Sequence, residues 1–385
     1  MRIWYPQAAL SQSSSSTSEA RIVQLRPNDS GRRLRRKMVP MAAGLIAATI
    51  GLAGCGGDGD QAEAASQDTV TVKSCGDDVT FPSPAKKLYV ANNQMLSFFF
   101  ALDADKQISA VSGLSSGVRE LITPIYGAKR IEKLPFKTED YPSLETVLAA
   151  KPDGIFAGIG WGFNEETGVT PARLIDDYDI PAYTLTTTCL QGSEEKKGIM
   201  PPWDAVSTDL ENIAKVTGRE DIARSKLSEI HKRRDDLASA PKPKSLGTVF
   251  FYDITVKDGV LAGGSLSAGH AIIEAAGARN ALEDIDEELT TVTWERLAAD
   301  RPDFFLISDY GKGPYSYEGK VKDLKTNPAT KDLPAVRESR FLRLPAPMLL
   351  GTPLMIDSAE LLRNALEDEG LAPESSIEPE LEIHD

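Results

Sequence analysis

The chain has 385 residues, 41% hydrophobic and 26% charged, an ordinary globular balance with length enough for two domains. Its formal net charge of -14 excludes the basic surface a nucleic-acid binder needs and argues against general anion scavenging. The acidity is uneven, because the first 54 residues hold eight Lys/Arg against two acids and leave the rest more acidic than the total.

Residues 11–18, SQSSSSTS, are low-complexity and predict no fixed structure. Arg32, Arg33, Arg35, Arg36 and Lys37 then precede an uncharged run over 38–54 that ends against Cys55. A basic cluster, a short apolar run and small residues before a cut site make a secretory signal over 1–54. A plain transmembrane anchor is the alternative, for which the run is slightly short. Leu52-Ala53-Gly54-Cys55 resembles the lipobox of bacterial lipoproteins. By that resemblance Cys55 is lipidated, becomes the mature N-terminus and anchors the protein outside the cytoplasm at the cell membrane. The long lead before the arginines suggests a translation start downstream of Met1. Residues 55–74 read as a flexible tether. Export leaves Cys75 and Cys189 as an even pair in an oxidising compartment. A disulfide is expected, two buried free thiols being the alternative.

In the mature chain, 79–82 reads as a short edge strand and 87–91 as the first central strand, ending at Asn92-Asn93. A helix over 94–102, a strand over 108–112 and a helix over 116–122 follow. The stretch 143–158, SLETVLAAKPDGIFAG, reads as helix, stop and strand. Ser143 suits an N-cap, and Glu145 suits the positive end of the helix dipole. Pro152 pushes its predecessor out of the α region, and 154–157 is apolar, as a strand covered on both faces should be. Glycines and aromatics follow, among them Trp161 and Phe163. A helix over 171–178 and a strand over 180–184 complete a first lobe at 75–202. Residues 203–240 carry helical periodicity alone, broken at Gly218, and predict a rigid helical connector. The second lobe, 241–370, opens with a strand over 246–252 and a hairpin arm over 259–262. A glycine-rich turn then leads into a helix. There TWERLAADRPDFFLIS at 293–308 repeats the first helix-PD-strand unit without a gap, 150 positions on. A helix over 321–326, a strand over 340–344 and a helix over 358–368 close the lobe. The acidic tail, 371–385, is expected to fray. The fold class is therefore α/β: two lobes, each a mainly parallel sheet flanked by helices, joined by one long rigid helix.

Enzyme chemistry finds no residues to carry it. His231, His270 and His384 are the only histidines, and no two have the spacing of a metal pair. Neither Ser265 nor Ser267 has the flanking glycines of a nucleophile elbow. Gly264 to Gly269 mimics a phosphate loop, but His270-Ala271 stand where Lys and Ser/Thr are required. What remains are strand-end loops rich in amides and aromatics, since open α/β sheets bind ligands beyond the carboxyl ends of their strands. Asn93, Trp161, Phe163, Tyr252 and Tyr310 are the candidates for cleft contact, with ordinary packing as the alternative.

Lipobox, tether, two lobes and a helical connector resemble a substrate-binding lipoprotein of an ABC importer, of the helix-linked class serving ferric siderophores, cobalamin and haem. The resemblance covers roughly residues 75–370. It is carried by SLETVLAAKPD at 143–153, TWERLAADRPD at 293–303 and GHAIIEAAGARNAL at 269–282. It implies a monomer without resident cofactor or metal, which captures a ferric siderophore and hands it to the importer's permease. Glu145 and Glu295 are implied to salt-bridge arginines of that permease, dipole stabilisation alone being the alternative. Cobalamin, haem or another bulky cofactor precursor is the alternative cargo, haem asking for an axial Tyr252, Tyr310 or His270. An exported enzyme on this scaffold is the alternative from another class. The loop at Asn92-Asn93-Gln94-Met95 lacks the acidic residue common in relatives.

Overall fold

The computed structural model describes residues 68–189 and 200–381. The signal segment, Cys55 and His384 lie outside the described residues, as do the expectations placed on them.

The tether read at 55–74 is corrected at its end, where a strand lies. Val70 and Val72 alternate with threonines, and this period-two pattern forms β1 (Thr69–Ser74), antiparallel to β2 (Asp77–Pro82). Val72, Val79 and Phe81 face the core. The first lobe continues through β3 (Leu88–Ala91), α1 (Asn93–Ala101), β4 (Ile108–Ser112), α2 (Ser116–Tyr126), α3 (Ala128–Glu132) and β5 (Phe136–Thr138). It then runs through α4 (Leu144–Ala150), β6 (Gly154–Ile159), β7 (Gly162–Phe163), α5 (Pro171–Tyr178) and β8 (Ala182–Thr184). Its sheet is parallel throughout, in the order β5-β4-β3-β6-β7 with β8 also on β6. Tyr89, Val147, Ile155 and Phe163 fill one face. Phe81, Phe99, Phe156 and Tyr183 form an aromatic cluster on the other. Cys75 and Cys189 are joined by a disulfide that fastens the β1–β2 turn to the segment after β8.

Two helices follow, α6 (Pro202–Thr217) and α7 (Glu220–Ser239). As the break at Gly218 predicts, there are two helices, because Gly218 ends α6 in the left-handed region at φ 67°. Only α7, about 30 Å long at the usual rise, connects. α6 belongs to the first lobe: Asn212 Nδ2 donates to the Lys73 carbonyl and to Tyr183 Oη, both at 3.0 Å. α7 is pinned to the second lobe by Arg233, which is 8% exposed and pairs with Asp357 at 2.7 Å and Glu360 at 2.6 Å.

The second lobe contains β9 (Thr248–Val256), β10 (Gly259–Gly263), α8 (Ala268–Ala275), β11 (Arg279–Asn280), β12 (Leu289–Thr293) and α9 (Trp294–Asp300). It closes with β13 (Phe304–Asp309), α10 (Tyr317–Thr326), α11 (Pro334–Arg337), β14 (Phe341–Pro345) and α12 (Met355–Asp368). The sheet order is β12-β10-β9-β13-β14; β13 runs parallel to β9 and β14, while β10 runs antiparallel to β9 and β12. Phe250, Tyr252, Leu297, Phe305 and Ile307 form its core. The tail does not fray over 371–381. Glu367 accepts from Ser375 N and Oγ, Arg363 donates to the Pro373 carbonyl at 2.6 Å, and Glu380 reaches Arg233 at 3.5 Å. Composition alone misses this, because the anchors lie on α12 and α7.

Asp209 on α6 is fully buried and accepts from Tyr183 Oη at 2.7 Å and Thr186 Oγ1 at 2.6 Å. Burial outweighs these donors and pushes its carboxyl from 3.8 up to about 7. A folded value above the unfolded one means tighter proton binding in the fold. Asp209 therefore contributes fully below about pH 4, and that contribution is lost as pH rises through about 7. The expectation is that Asp209→Asn flattens the dependence of Tm on pH between about 4 and about 7; an unchanged slope would contradict it.

Candidate functional site

The two helix-PD-strand units have the same local physics. Ser143 Oγ caps the Thr146 amide and Thr293 Oγ1 caps the Arg296 amide, both at 3.2 Å. Each helix ends on a left-handed cation, Lys151 at φ 46° and Arg301 at φ 44°. Every residue from 142 to 158 has the same degree of burial as its counterpart from 292 to 308. The aspartate of each unit is structural. Asp153 Oδ2 accepts from the Lys86 and Lys87 amides at 2.9 Å, and its own amide donates to the Lys87 carbonyl. Asp303 Oδ2 accepts from the Thr248 amide at 2.8 Å, and its amide donates to the Thr248 carbonyl. Each aspartate thus ties the start of β6 or β13 to the start of β3 or β9. Glu145 and Glu295 remain exposed in their first helical turns, with no polar side-chain partner among the described residues.

The carboxyl ends of the strands carry the second feature. β3 leads to β4 on one side while β6 leads to β8 on the other; β9 and β13 diverge likewise to β10 and β14. These are the switch points where open α/β sheets leave a crevice. Here each crevice is bridged by the protein's own side chain. Asn92 Nδ2 donates to the Trp161 carbonyl at 2.7 Å while its Oδ1 accepts from the Met95 amide at 2.8 Å. These two bonds hold Asn92 at φ 146°, where side-chain-bearing residues are rare. In the second lobe, Lys320 of α10 donates to the Ser308 carbonyl at 2.7 Å, to Ser308 Oγ at 2.9 Å and to the Asp253 carbonyl. Lys320 is fully buried, and burial brings its ammonium down to about 8 although Asp253 and Asp309 oppose the shift. The Tyr310 ring centroid lies 5.0 Å from its Nζ. Tyr310 Oη donates to Asp253 Oδ1 at 2.9 Å, and burial with that carboxylate holds the phenol well above its ordinary range.

The candidate contact residues separate accordingly. Tyr310 stays half-buried at the strand ends, and Asn93 is half-buried at the start of α1. Trp161 is 5% exposed, and it is its backbone that bonds Asn92. Phe163 and Tyr252 are corrections, since both lie inside. Phe163 packs in the first core, and Gly162 at φ 117° approaches the Ala91 carbonyl too closely for a side chain. Tyr252 shares a strand face with Phe250 in the second core and bonds Thr255 through its hydroxyl. A residue-by-residue reading also missed Tyr141, which lies on Gly113 and comes near enough to Tyr310 to raise its pKa.

The lobes meet at these strand ends. A Cβ on Gly117 of α2 would stand 2.8 Å from the Tyr310 carbonyl oxygen, and one on Gly311 would stand 2.6 Å from the Gly117 backbone. Lys312 pairs with Glu120 across the junction at 3.0 Å. Arg343 of β14 pairs with buried Asp309 at 2.7 Å. Such a surface can bind and release a ligand. Ser308 Oγ, which meets Lys320 and Asp253, is fully buried and so is not presented at this surface. Among the described residues no cluster of His, Cys, Asp or Glu could hold a metal ion.

A family model described as "Periplasmic binding protein" matches residues 90–348, more than half of the chain. No curated protein matches in sequence. Among solved structures, a periplasmic binding protein from Veillonella parvula is similar with TM-score 0.63 and 18% identity, over 78% of this chain and 98% of that one. A protein of an ABC-type Fe3+-hydroxamate transport system from Saccharomonospora viridis gives 0.62 and 22%, over 77% and 98%. A periplasmic haem-binding protein of a Roseiflexus species gives 0.56 and 23%, over 74% and 98%. At these identities the likeness is one of fold.

Gly117 supplies a direct test of the junction. Gly117→Val should prop the lobes apart, which small-angle scattering would read as a larger radius of gyration. An unchanged radius would mean that the approach of Gly117 to Tyr310 does not limit closure.

Proposed function

The chain belongs to the periplasmic binding protein family, in the helix-linked class that serves ABC importers, and from that membership we propose that it captures a ferric siderophore outside the cytoplasm and delivers it to a permease. The observation that carries the delivery half is the pair of matched, exposed and unpartnered carboxylates, Glu145 and Glu295, at equivalent points of the two lobes. A carboxylate that only stabilised its helix dipole would be worth under about 1 kcal/mol and would have no reason to recur on the other lobe at the same degree of exposure. Lipid anchoring through Cys55 belongs to the same reading and keeps the receptor near its permease. The protein works as a monomer and carries its cargo unchanged, without turnover.

For the cargo, the strand ends favour a chelate held by packing and peripheral hydrogen bonds over an axially ligated haem. Tyr252 lies in the core. Tyr310 donates its proton to Asp253, and that carboxylate disfavours the phenolate that would ligate iron. His270 Nε2 is engaged 3.3 Å from Glu274 on α8. Tyr141 and Tyr310, one from each lobe and both half-buried, offer aromatic surface for contact.

Two experiments test the halves separately. Glu145→Ala combined with Glu295→Ala should abolish ligand uptake by the importer while leaving affinity within about twofold, as removal of rim charges distant from a ligand should. Lost affinity in that double variant would refute the docking role. Quenching of tryptophan fluorescence by ferric hydroxamates, ferric catecholates, cobalamin and haem in turn should saturate for a ferric chelate. Saturation by haem or cobalamin alone would overturn the cargo and keep the architecture.

A further inference from the structure

We propose that the cargo is a chelate of no net charge, a neutral ferric trihydroxamate rather than a trianionic tris-catecholate. This rests on the siderophore reading above and narrows it from the electrostatics of the surfaces that meet at the strand ends.

Recognition of a polyanion calls for cations whose charge is not already neutralised, or for a clear positive excess. Among the described residues, four of the cations at this junction are committed. On the first lobe, Arg119 pairs with Glu139 at 3.0 Å and lies 4.7 Å from the centre of the Phe136 ring. On the second, Arg343 is held by Asp309 at 2.7 Å and by Glu318 at 3.5 Å. Lys312 is bound across the junction by Glu120 at 3.0 Å. Lys320 has both Ser308 acceptors and the Asp253 carbonyl, and no surface of its own. Lys137, exposed on β5, is followed in the next turn by Glu139 and Asp140. Among the described residues, the rim therefore carries at least as many carboxylates as cations.

The consequences differ sharply with ligand charge. A trianion would have to break two or three of these pairs or lie beside Glu120, Glu139 and Glu318 without compensation. Three hydroxamates each bring one negative charge to ferric iron, so their complex is neutral and meets no such barrier. Its carbonyl-rich periphery can accept hydrogen bonds from Arg119 and Arg343 while both keep their carboxylates, since a guanidinium has five donors.

The test is a pair of fluorescence titrations of the protein, with a neutral ferric trihydroxamate and with a trianionic ferric tris-catecholate, at about 50 and about 500 mM salt. The neutral chelate should bind with little salt dependence and the trianion roughly 100-fold more weakly at low salt, the gap closing as salt rises. Replacing the rim carboxylates together (Glu120→Gln, Glu139→Gln, Glu318→Gln) should narrow the ratio of the two affinities roughly tenfold. A tris-catecholate bound as tightly as the trihydroxamate, or a gap that neither salt nor the triple variant changes, would overturn the charge argument and leave the siderophore reading standing. Failure of both chelates, with saturation by haem or cobalamin, would overturn both.

Discussion

Much of this fold depends on one kind of bond, an aspartate carboxylate that accepts from backbone amides at the start of a neighbouring strand. Asp153 does this for β3 and Asp303 for β9. The amides at a strand start need acceptors, and a charged acceptor there is stronger than a neutral one. The bond also fixes register, so that Leu88 faces Gly154 and Val249 faces Phe304. With register fixed, two distant things are placed at once. The helix before the aspartate is aimed so that its first-turn glutamate meets solvent. The strand after it delivers Gly158 to Trp161, or Asp309 to Gly311, to the surface between the lobes.

The opposite ends of the same strands are closed by Asn92 and Lys320, which differ in chemistry and act alike. Each ties two diverging strands across the crevice that their divergence opens. Arg233 plays a third part, binding α7 to α12 and to the tail through three carboxylates, with Glu229 of α7 itself beside them. A buried ion pair is weak evidence of stability, but breaking one partner out of it is costly. The cluster therefore gives α7 one fixed seat on the second lobe, while the hydrogen bonds of Asn212 give α6 one on the first. Between these seats the helices break at Gly218-Arg219, and a connector seated at both ends should restrict relative motion of the lobes to a small tilt.

The sequence made the repeated unit legible because its determinants are local: a cap, a proline and an aspartate at fixed spacing. The connector was legible as helix and as broken at Gly218, but not as belonging half to each lobe, since packing partners leave no mark on periodicity. Phe163 and Tyr252 were misplaced for a general reason. In continuous apolar strands both faces look alike, so the sequence does not say which aromatic points inward. Lys320 was invisible for the opposite reason, because in a helix reading YEGKVKDLKT a lysine looks solvated, and only the fold brings Ser308 and Asp253 to it. The tail misled by composition: Glu380 is a counter-charge to Arg233 of α7, and Arg363 and Glu367 of α12 hold Pro373 and Ser375.

The measurement that bears most directly on this account is the distance between spin labels attached at positions 145 and 295, taken with and without a saturating neutral ferric trihydroxamate. If the two aspartate-locked units form one near-rigid docking frame, the distance should change by less than about 5 Å, as in small shear or tilt motions. A change beyond about 10 Å, of the kind a wide hinge closure produces, would contradict it.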